Sequence, residues 1–85
     1  MLLKVFAIYD SKVEAYMSPI FVPSRGQALR SFIDAAQDTT NNLGKHPADF
    51  TLFEIGVFDD SNATFDCHIS PISLGNALEL LSTTA

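Results

Sequence analysis

The stretch GKHPADFTLFEIGVFDDSN, residues 44–62, contains the strongest fold signal in this chain. Beyond Pro47, the segment TLFEIGVF is rich in aromatic and β-branched residues, which favours a strand. The DDSN that follows consists of turn-forming residues, whose short side chains hydrogen-bond to nearby backbone. The next segment, ATFDCHI, has apolar residues in alternation and favours a second strand. Together these segments predict a β-hairpin.

The N-terminal segment predicts another hairpin. LLKVFAIY, Leu2 to Tyr9, is apolar on both alternating faces apart from Lys4, as expected for a strand in the middle of a sheet or at a subunit contact. A DSK turn leads into VEAYMSPIF, a second strand. We expect Pro19 to end or bend that strand, because proline has no N–H to donate to a neighbouring strand.

A helix is predicted after the first hairpin. Ser24 and Gln27 have the spacing of a capping box, in which the serine hydroxyl accepts a hydrogen bond from the backbone three residues later. Apolar residues then recur at helical spacing and form one stripe, which consists of Ala28, Leu29, Phe32, Ile33 and Ala36. The helix should therefore pack one face on the sheet.

The rest of the chain has the same order of elements. DTTNNLG, residues 38–44, is polar and is predicted to be the longest flexible loop. Pro71 is expected to close the fourth strand, and Ser73 to cap a short helix that carries Leu74, Ala77, Leu78 and Leu81. The order ββα-ββα predicts an α+β fold, in which one longer and one short helix pack on a four-stranded, mainly antiparallel sheet of two hairpins.

Length and composition limit the possible functions. Eighty-five residues suffice for a single domain, residues 1–85, but not for two. The net charge of −5 opposes non-specific attraction to a phosphate backbone, which depends on cations. No segment approaches the roughly 18 apolar residues that a membrane span needs, and the single cysteine, Cys67, requires no oxidising compartment. We therefore expect a soluble, cytoplasmic protein without a membrane partner.

Patterns for catalysis or metal binding are weak. Read as a calcium loop from Asp60, the sequence has Phe65 where a sharp turn needs glycine, and Pro71 where a bidentate glutamate is needed. His46 shares no recognisable motif with a nucleophile, and Cys67 on an apolar strand face is expected to be an inert core cysteine. The two histidines and one cysteine lack the spacing of a zinc site. The sequence thus predicts a protein that is not an enzyme, with no catalytic residue, no metal and no cofactor.

The remaining candidates are cations and aromatic residues that folding can gather. Tyr9 and Tyr16 flank the first turn near Lys12, and tyrosines in such a place can stack on unpaired bases. The alternative is that the cations are scattered solubilising charges, because Arg25 and Arg30 lie about 140° apart around a helix. The candidate DNA-binding residues are Lys4, Tyr9, Lys12, Tyr16, Arg25, Arg30, Lys45 and His46.

Several longer segments carry a family resemblance. They are the YDSK turn, AYMSPIFVPS, ALRSFIDAAQD and, most specifically, HPADFTLFEIGVFDDSN, with SLGNALEL in addition. In these segments the chain resembles the small nonstructural protein of gokushovirus-type microviruses (Microviridae), which are bacteriophages with small circular single-stranded DNA genomes. The resemblance extends over about residues 3–80.

The resemblance implies a genome-handling accessory protein in the cytoplasm of a bacterial host. In that family the protein looks like a DNA-binding protein, or like the factor that diverts replication from duplex copying to single-strand synthesis and DNA packaging. Its implied partners are single-stranded DNA and viral replication or capsid proteins. A second hypothesis is an oligomeric interaction or scaffold module that does not contact DNA; cations gathered in one groove would favour the first hypothesis, and dispersed cations the second.

The aromatic content also predicts self-association. Seven Phe and two Tyr in a chain of 85 residues give more apolar surface than two short helices can cover. We therefore expect a homo-oligomer, most simply a homodimer, that forms through an edge or a face of the sheet.

Overall fold

The computed structural model describes residues 1–83, in which groups of β-strands are each followed by helices in an α+β fold. The predicted fold class is confirmed, although the second predicted strand is divided in two. A 3₁₀ turn at Pro47–Asp49 precedes the fourth strand. In chain order the elements are β1 (Leu2–Asp10), β2 (Ala15–Tyr16), β3 (Ile20–Val22), α1 (Arg25–Gln37), α2 (Asn42–Lys45), β4 (Phe50–Asp59), β5 (Thr64–Asn76) and α3 (Ala77–Thr83).

The strands form one antiparallel sheet in the order β2-β1-β4-β5, and β3 continues the β2 edge by pairing with the other end of β1. Strand β1 is thus an interior strand, as its apolar sequence predicted. The backbone N–H of Met17 still donates to Ile8 at 2.8 Å, and regular pairing resumes at Ile20. Pro19 lies in this interruption, which agrees with the prediction that it would end or bend the strand.

Irregular pairing in the middle of β4 decides which side chains face which side of the sheet. Val5 lies opposite Gly56 but Phe6 lies opposite Glu54, so that Ile55 is an extra residue in β4. On the other side of β4, residues 68–71 of β5 bulge out opposite that same position. A Cβ at Gly56 would overlap the Asp66 carbonyl oxygen and lie 2.7 Å from the Cys67 Cα, so this close approach requires glycine.

The hydrophobic core lies between the helices and one face of the sheet. Phe6 and Leu52 are fully buried at its centre. The helical contribution comes from Ala28, Phe32 and Ala36 of α1, Leu43 of α2 and Ala77 of α3. Helix α1 begins as predicted, because the Ser24 hydroxyl accepts a hydrogen bond from the Gln27 N–H at 3.2 Å.

Three predictions, about a loop, a strand end and a helix cap, are wrong. The segment predicted as a flexible loop, residues 38–44, runs into α2, where the Asn41 side chain caps the helix by accepting from the Gly44 N–H at 2.8 Å. Pro71 does not close the fourth strand, because β5 continues to Asn76. Ser73 is therefore a strand residue, and Asn76 accepts from the Leu78 N–H at 3.0 Å at the start of α3. The sequence placed the cap of α3 at Ser73, three residues too early, because pairing with β4 extends β5 to Asn76.

Candidate functional site

The face of the sheet opposite the helices carries no charged side chain at its paired positions. Strand pairing and side-chain alternation identify these positions, because directly opposite residues point to the same side. We call this surface the open face. Within residues 1–83 its paired positions are Leu3, Val5, Ala7, Tyr9, Tyr16, Phe21, Thr51, Phe53, Gly56, Phe58, Phe65, Cys67, Ser73 and Asn76.

One end of the open face carries a tyrosine cluster, formed by Tyr9, Tyr16 and Phe53. The ring centroids of Tyr9 and Tyr16 lie 4.9 Å apart, and Phe53 lies 5.5 Å from Tyr16 and 6.4 Å from Tyr9. Tyr16 is 48% exposed. The two tyrosines that the sequence placed beside the first turn therefore do pack together, at an interplanar angle of 56°, with a phenylalanine from β4 that sequence reasoning had not assigned to them.

The other end carries a phenylalanine cluster, formed by Phe21, Phe58 and Phe65. The centroid of Phe58 lies 4.7 Å from that of Phe65 and 5.5 Å from that of Phe21. Phe21 is 42% exposed and Phe65 57% exposed, so both present a large part of an aromatic ring to solvent. Sequence reasoning did not single these three residues out, since they come from three separate strands. In the sequence, these three residues were recognisable only as aromatic residues within predicted strands.

Cys67 also lies on the open face, and the prediction of a core cysteine is wrong. It is exposed and pairs with Gly56, next to the phenylalanine cluster. The apolar strand face on which it lies was identified correctly. The helices, however, cover the opposite face of the sheet.

Some of the predicted DNA-binding residues come together at the tyrosine end of the sheet. Lys12 and His46 line one cavity of about 450 Å³, together with the carboxylates of Asp10 and Asp49. Lys45 directly precedes His46 at the end of α2. The cations here are thus accompanied by acidic groups, and the cavity lies on the helix side of the sheet, because Phe50 in its lining belongs to the core, whereas the tyrosine cluster lies on the open face.

The other predicted cations lie elsewhere. Lys4 lies opposite Val22 and Val57 on the helix side of the sheet. Arg25 donates a hydrogen bond to Glu54 on the same side. Arg30 borders a separate surface groove along α1. The structure therefore does not gather the eight predicted residues into one basic surface.

Glu54 forms a buried ionic cluster that sequence reasoning missed. Its side chain is 5% exposed, and Oε1 accepts a hydrogen bond from Arg25 Nε at 3.0 Å and forms an ion pair with Arg25 Nη2 at 2.9 Å. Its Oε2 lies 2.7 Å from His68 Nε2. Burial raises the pKa of Glu54, but the hydrogen bonds from His68 and Arg25 and the charges of Arg25 and Lys4 outweigh it, so the pKa lies below its ordinary value. A glutamate in an apolar strand was the available signal, because such a group needs partners.

The acidic turn between β4 and β5 is held by local contacts. Asp59 accepts hydrogen bonds from the Ser61 N–H at 3.0 Å and hydroxyl at 2.6 Å, and these bonds lower its pKa. Asp60 pairs with the N-terminal amine at 2.8 Å and thereby raises the pKa of that amine. The turn-forming interpretation of Asp59 is confirmed.

The described residues contain neither a metal-binding cluster nor a membrane-spanning helix. No group of three or more His, Cys, Asp or Glu side chains converges within residues 1–83 in a way that could hold a metal ion. No helix in the same range is long and apolar enough to cross a membrane.

Comparison with known proteins gives one match. A family model described as "Phage ORF5 protein" matches residues 3–80. No curated protein and no solved structure matches the chain. Apart from Leu2, the matched range includes all five strands described above, and with them the open face and the Glu54 cluster.

Proposed function

Since the chain belongs to the Phage ORF5 protein family, we propose that it is a non-enzymatic accessory of phage genome handling that works as a protein-binding module. The observation that carries this proposal is the open face, which is aromatic at both ends and free of charge at its paired positions. The function needs no cofactor, because it consists of assembly rather than chemistry.

The chemistry of the open face suits a protein partner better than a nucleic acid. The buried centres of protein interfaces are depleted of charged residues and enriched in aromatic ones. A nucleic-acid surface instead needs cations that neutralise phosphates. The open face has the first composition, and the chain carries a net charge of −5.

The resemblance to gokushovirus-type microviruses suggests where such a module acts. In a phage with a single-stranded DNA genome, a small module that binds replication or capsid proteins can couple the synthesis of single strands to their packaging. Such a protein would act in the cytoplasm of the bacterial host.

Direct binding of single-stranded DNA is a second candidate, favoured by one specific observation. The rings of Tyr9 and Tyr16 pack against each other at a tilt of 56° on the open face, and Lys12 and His46 line a cavity on the helix side at the same end of the sheet. Aromatic rings that can stack on bases, beside cations that can contact phosphates, are the elements of single-strand recognition. The accompanying carboxylates predict weak and salt-sensitive binding.

Co-purification with defined phage proteins tests the first candidate. The chain would be co-expressed with the replication protein and, separately, with the coat protein of the same phage. We expect Phe65→Lys to lose the partner, because it places a charge on the open face. Leu78→Lys is the matched control, since Leu78 is 49% exposed on α3 and lies off the open face. Partner binding that survives Phe65→Lys, or that Leu78→Lys removes equally, would contradict the proposal.

A fluorescence-anisotropy titration tests the second candidate. Labelled single-stranded and duplex oligonucleotides would be titrated at two salt concentrations. If DNA binds at the tyrosine end, Lys12→Glu should weaken the binding of single strands and reduce its salt dependence, whereas Arg30→Glu on α1 should have little effect. An equal effect of the two substitutions would mean that only overall charge matters.

A further inference from the structure

We propose that the open face binds the open face of a second copy of this chain, so that two sheets pack face to face around the phenylalanine clusters. This inference rests on the proposed function, because it names a partner for the same surface. The contact would be a two-fold symmetric dimer, the commonest form of homo-oligomer.

The distribution of charge favours a second copy as the occupant. A partner that brought charged groups to this face would have to desolvate them against residues that cannot pair with them. A second open face brings no charge at its paired positions, although each chain has a net charge of −5. The charges of both copies would remain on the helix sides and at the margins, where water screens them.

The phenylalanine cluster is the expected centre of the contact. It contains two half-exposed rings, Phe21 and Phe65, and its side chains have no polar atoms. The tyrosine cluster keeps hydroxyl groups that prefer contact with water. We therefore place the tyrosine clusters toward the margin of the dimer, where Lys12 also lies.

The exposed area is sufficient for a dimer of moderate affinity. An aromatic side chain offers about 150–250 Å², so the three most exposed rings of the open face together leave about 200–350 Å² uncovered. The partly exposed neighbours enlarge this patch into the range in which exposed apolar patches are often functional. An interface of this size lies below the standard range of specific complexes, where association is weak to moderate, and we expect a dissociation constant on the order of micromolar.

Sedimentation equilibrium tests the dimer itself. The chain has a mass of 9.3 kDa, so a dimer would have twice that mass. We expect the wild type to convert from monomer to dimer as its concentration rises through the micromolar range. Phe21→Lys and Phe65→Lys should remain monomeric, and Leu78→Lys should behave as the wild type. Circular dichroism would establish that each variant is folded before its mass is interpreted.

The thiol of Cys67 can report where the interface lies. It is exposed in the single chain and lies beside Phe65 on the open face. Its rate of alkylation by iodoacetamide should fall several-fold in the concentration range where the wild type dimerises, and should stay constant for Phe65→Lys. A dimer that leaves this rate unchanged would use another surface and would overturn the inference.

The outcomes separate this inference from the proposed function. A wild type that stays monomeric at about 100 μM, far above a micromolar dissociation constant, overturns self-association. If Phe65→Lys then still abolishes binding to a phage replication or coat protein, the open face binds another protein and the proposed function stands. If neither dimer nor phage partner depends on Phe65, both fail.

Discussion

The buried carboxylate of Glu54 allows two losses of stability to be compared: the loss of its arginine partner, and the loss of the carboxylate itself. Glu54 is 4% exposed, and it has one hydrogen bond from Arg25, one with His68 and an ion pair with Arg25. Removing one partner of a buried ion pair is strongly destabilising, because the remaining charge keeps its desolvation cost. Replacing the whole polar arrangement by an apolar side chain is often nearly neutral. Arg25→Ala should therefore destabilise the protein more than Glu54→Leu does.

The exposure of the partners sets the expected size of these effects. Loss of one partner from a buried pair typically costs about 3–5 kcal/mol. The Arg25 side chain is 51% exposed, so water can take over part of its role, and we reduce the expected cost of Arg25→Ala to about 1–3 kcal/mol. Glu54→Leu releases Arg25 and His68 to solvent and leaves no buried charge. We expect it to cost less than about 1 kcal/mol.

Urea unfolding followed by circular dichroism, at one fixed protein concentration, measures both costs. Arg30→Ala is the matched control, because it removes an arginine from the exposed side of the same helix and should change the free energy of unfolding by less than about 0.5 kcal/mol. If Glu54→Leu proves as destabilising as Arg25→Ala, the orphaned charge is not the source of the cost. The packing around Glu54 would then be the better explanation.

The remaining predictions concern pH and backbone geometry. Burial raises the pKa of Glu54, but the opposing effect of its partners His68 and Arg25 is larger, so the pKa in the folded protein lies below the ordinary value of 4.5. The contribution of Glu54 to stability is therefore fully present above pH 4.5 and is lost as the pH falls through the folded pKa. The difference in unfolding free energy between the wild type and Glu54→Gln should therefore narrow below pH 4.5, and a constant difference would contradict this assignment. Gly56→Ala should destabilise by about 1–3 kcal/mol in urea unfolding, because a Cβ would overlap β5. Gly26→Ala, where a Cβ meets no heavy atom within 4 Å, should be neutral or stabilising, and equal costs would argue against the close approach. Ser24→Ala should cost about 1 kcal/mol by removing the cap of α1, whereas Ser31→Ala in the middle of that helix should not; similar costs would mean that the cap contributes little.

Elements with strong local signals could be predicted from the sequence. The two hairpins follow from apolar alternation and turn residues, and α1 follows from its stripe and the cap at Ser24. Predictions failed where a distant partner changes the local preference. Strand β5 runs through Pro71 because it pairs with β4 beyond the bulge, and Cys67 is exposed because the helices cover the other face of the sheet.

The candidate site was less predictable than the fold. The sequence brought Tyr9 and Tyr16 together correctly, because both flank one short turn. It could not bring Phe21, Phe58 and Phe65 together, since these residues meet only when three strands adopt their register. The charge-free composition of the open face is likewise a property of the register.

By itself, the sequence determined the α+β class, the order of the main elements and the presence of more apolar surface than the helices can cover. These properties depend on periodicity and on hydrogen bonds between near neighbours, which a linear sequence contains. Only the tertiary structure decided which face of the sheet stays open, and that Glu54 meets an arginine 29 residues away and a histidine 14 residues away. The physical reason is that one extra residue in β4 reverses the direction of every later side chain, and its position depends on the pairing of strands distant in sequence.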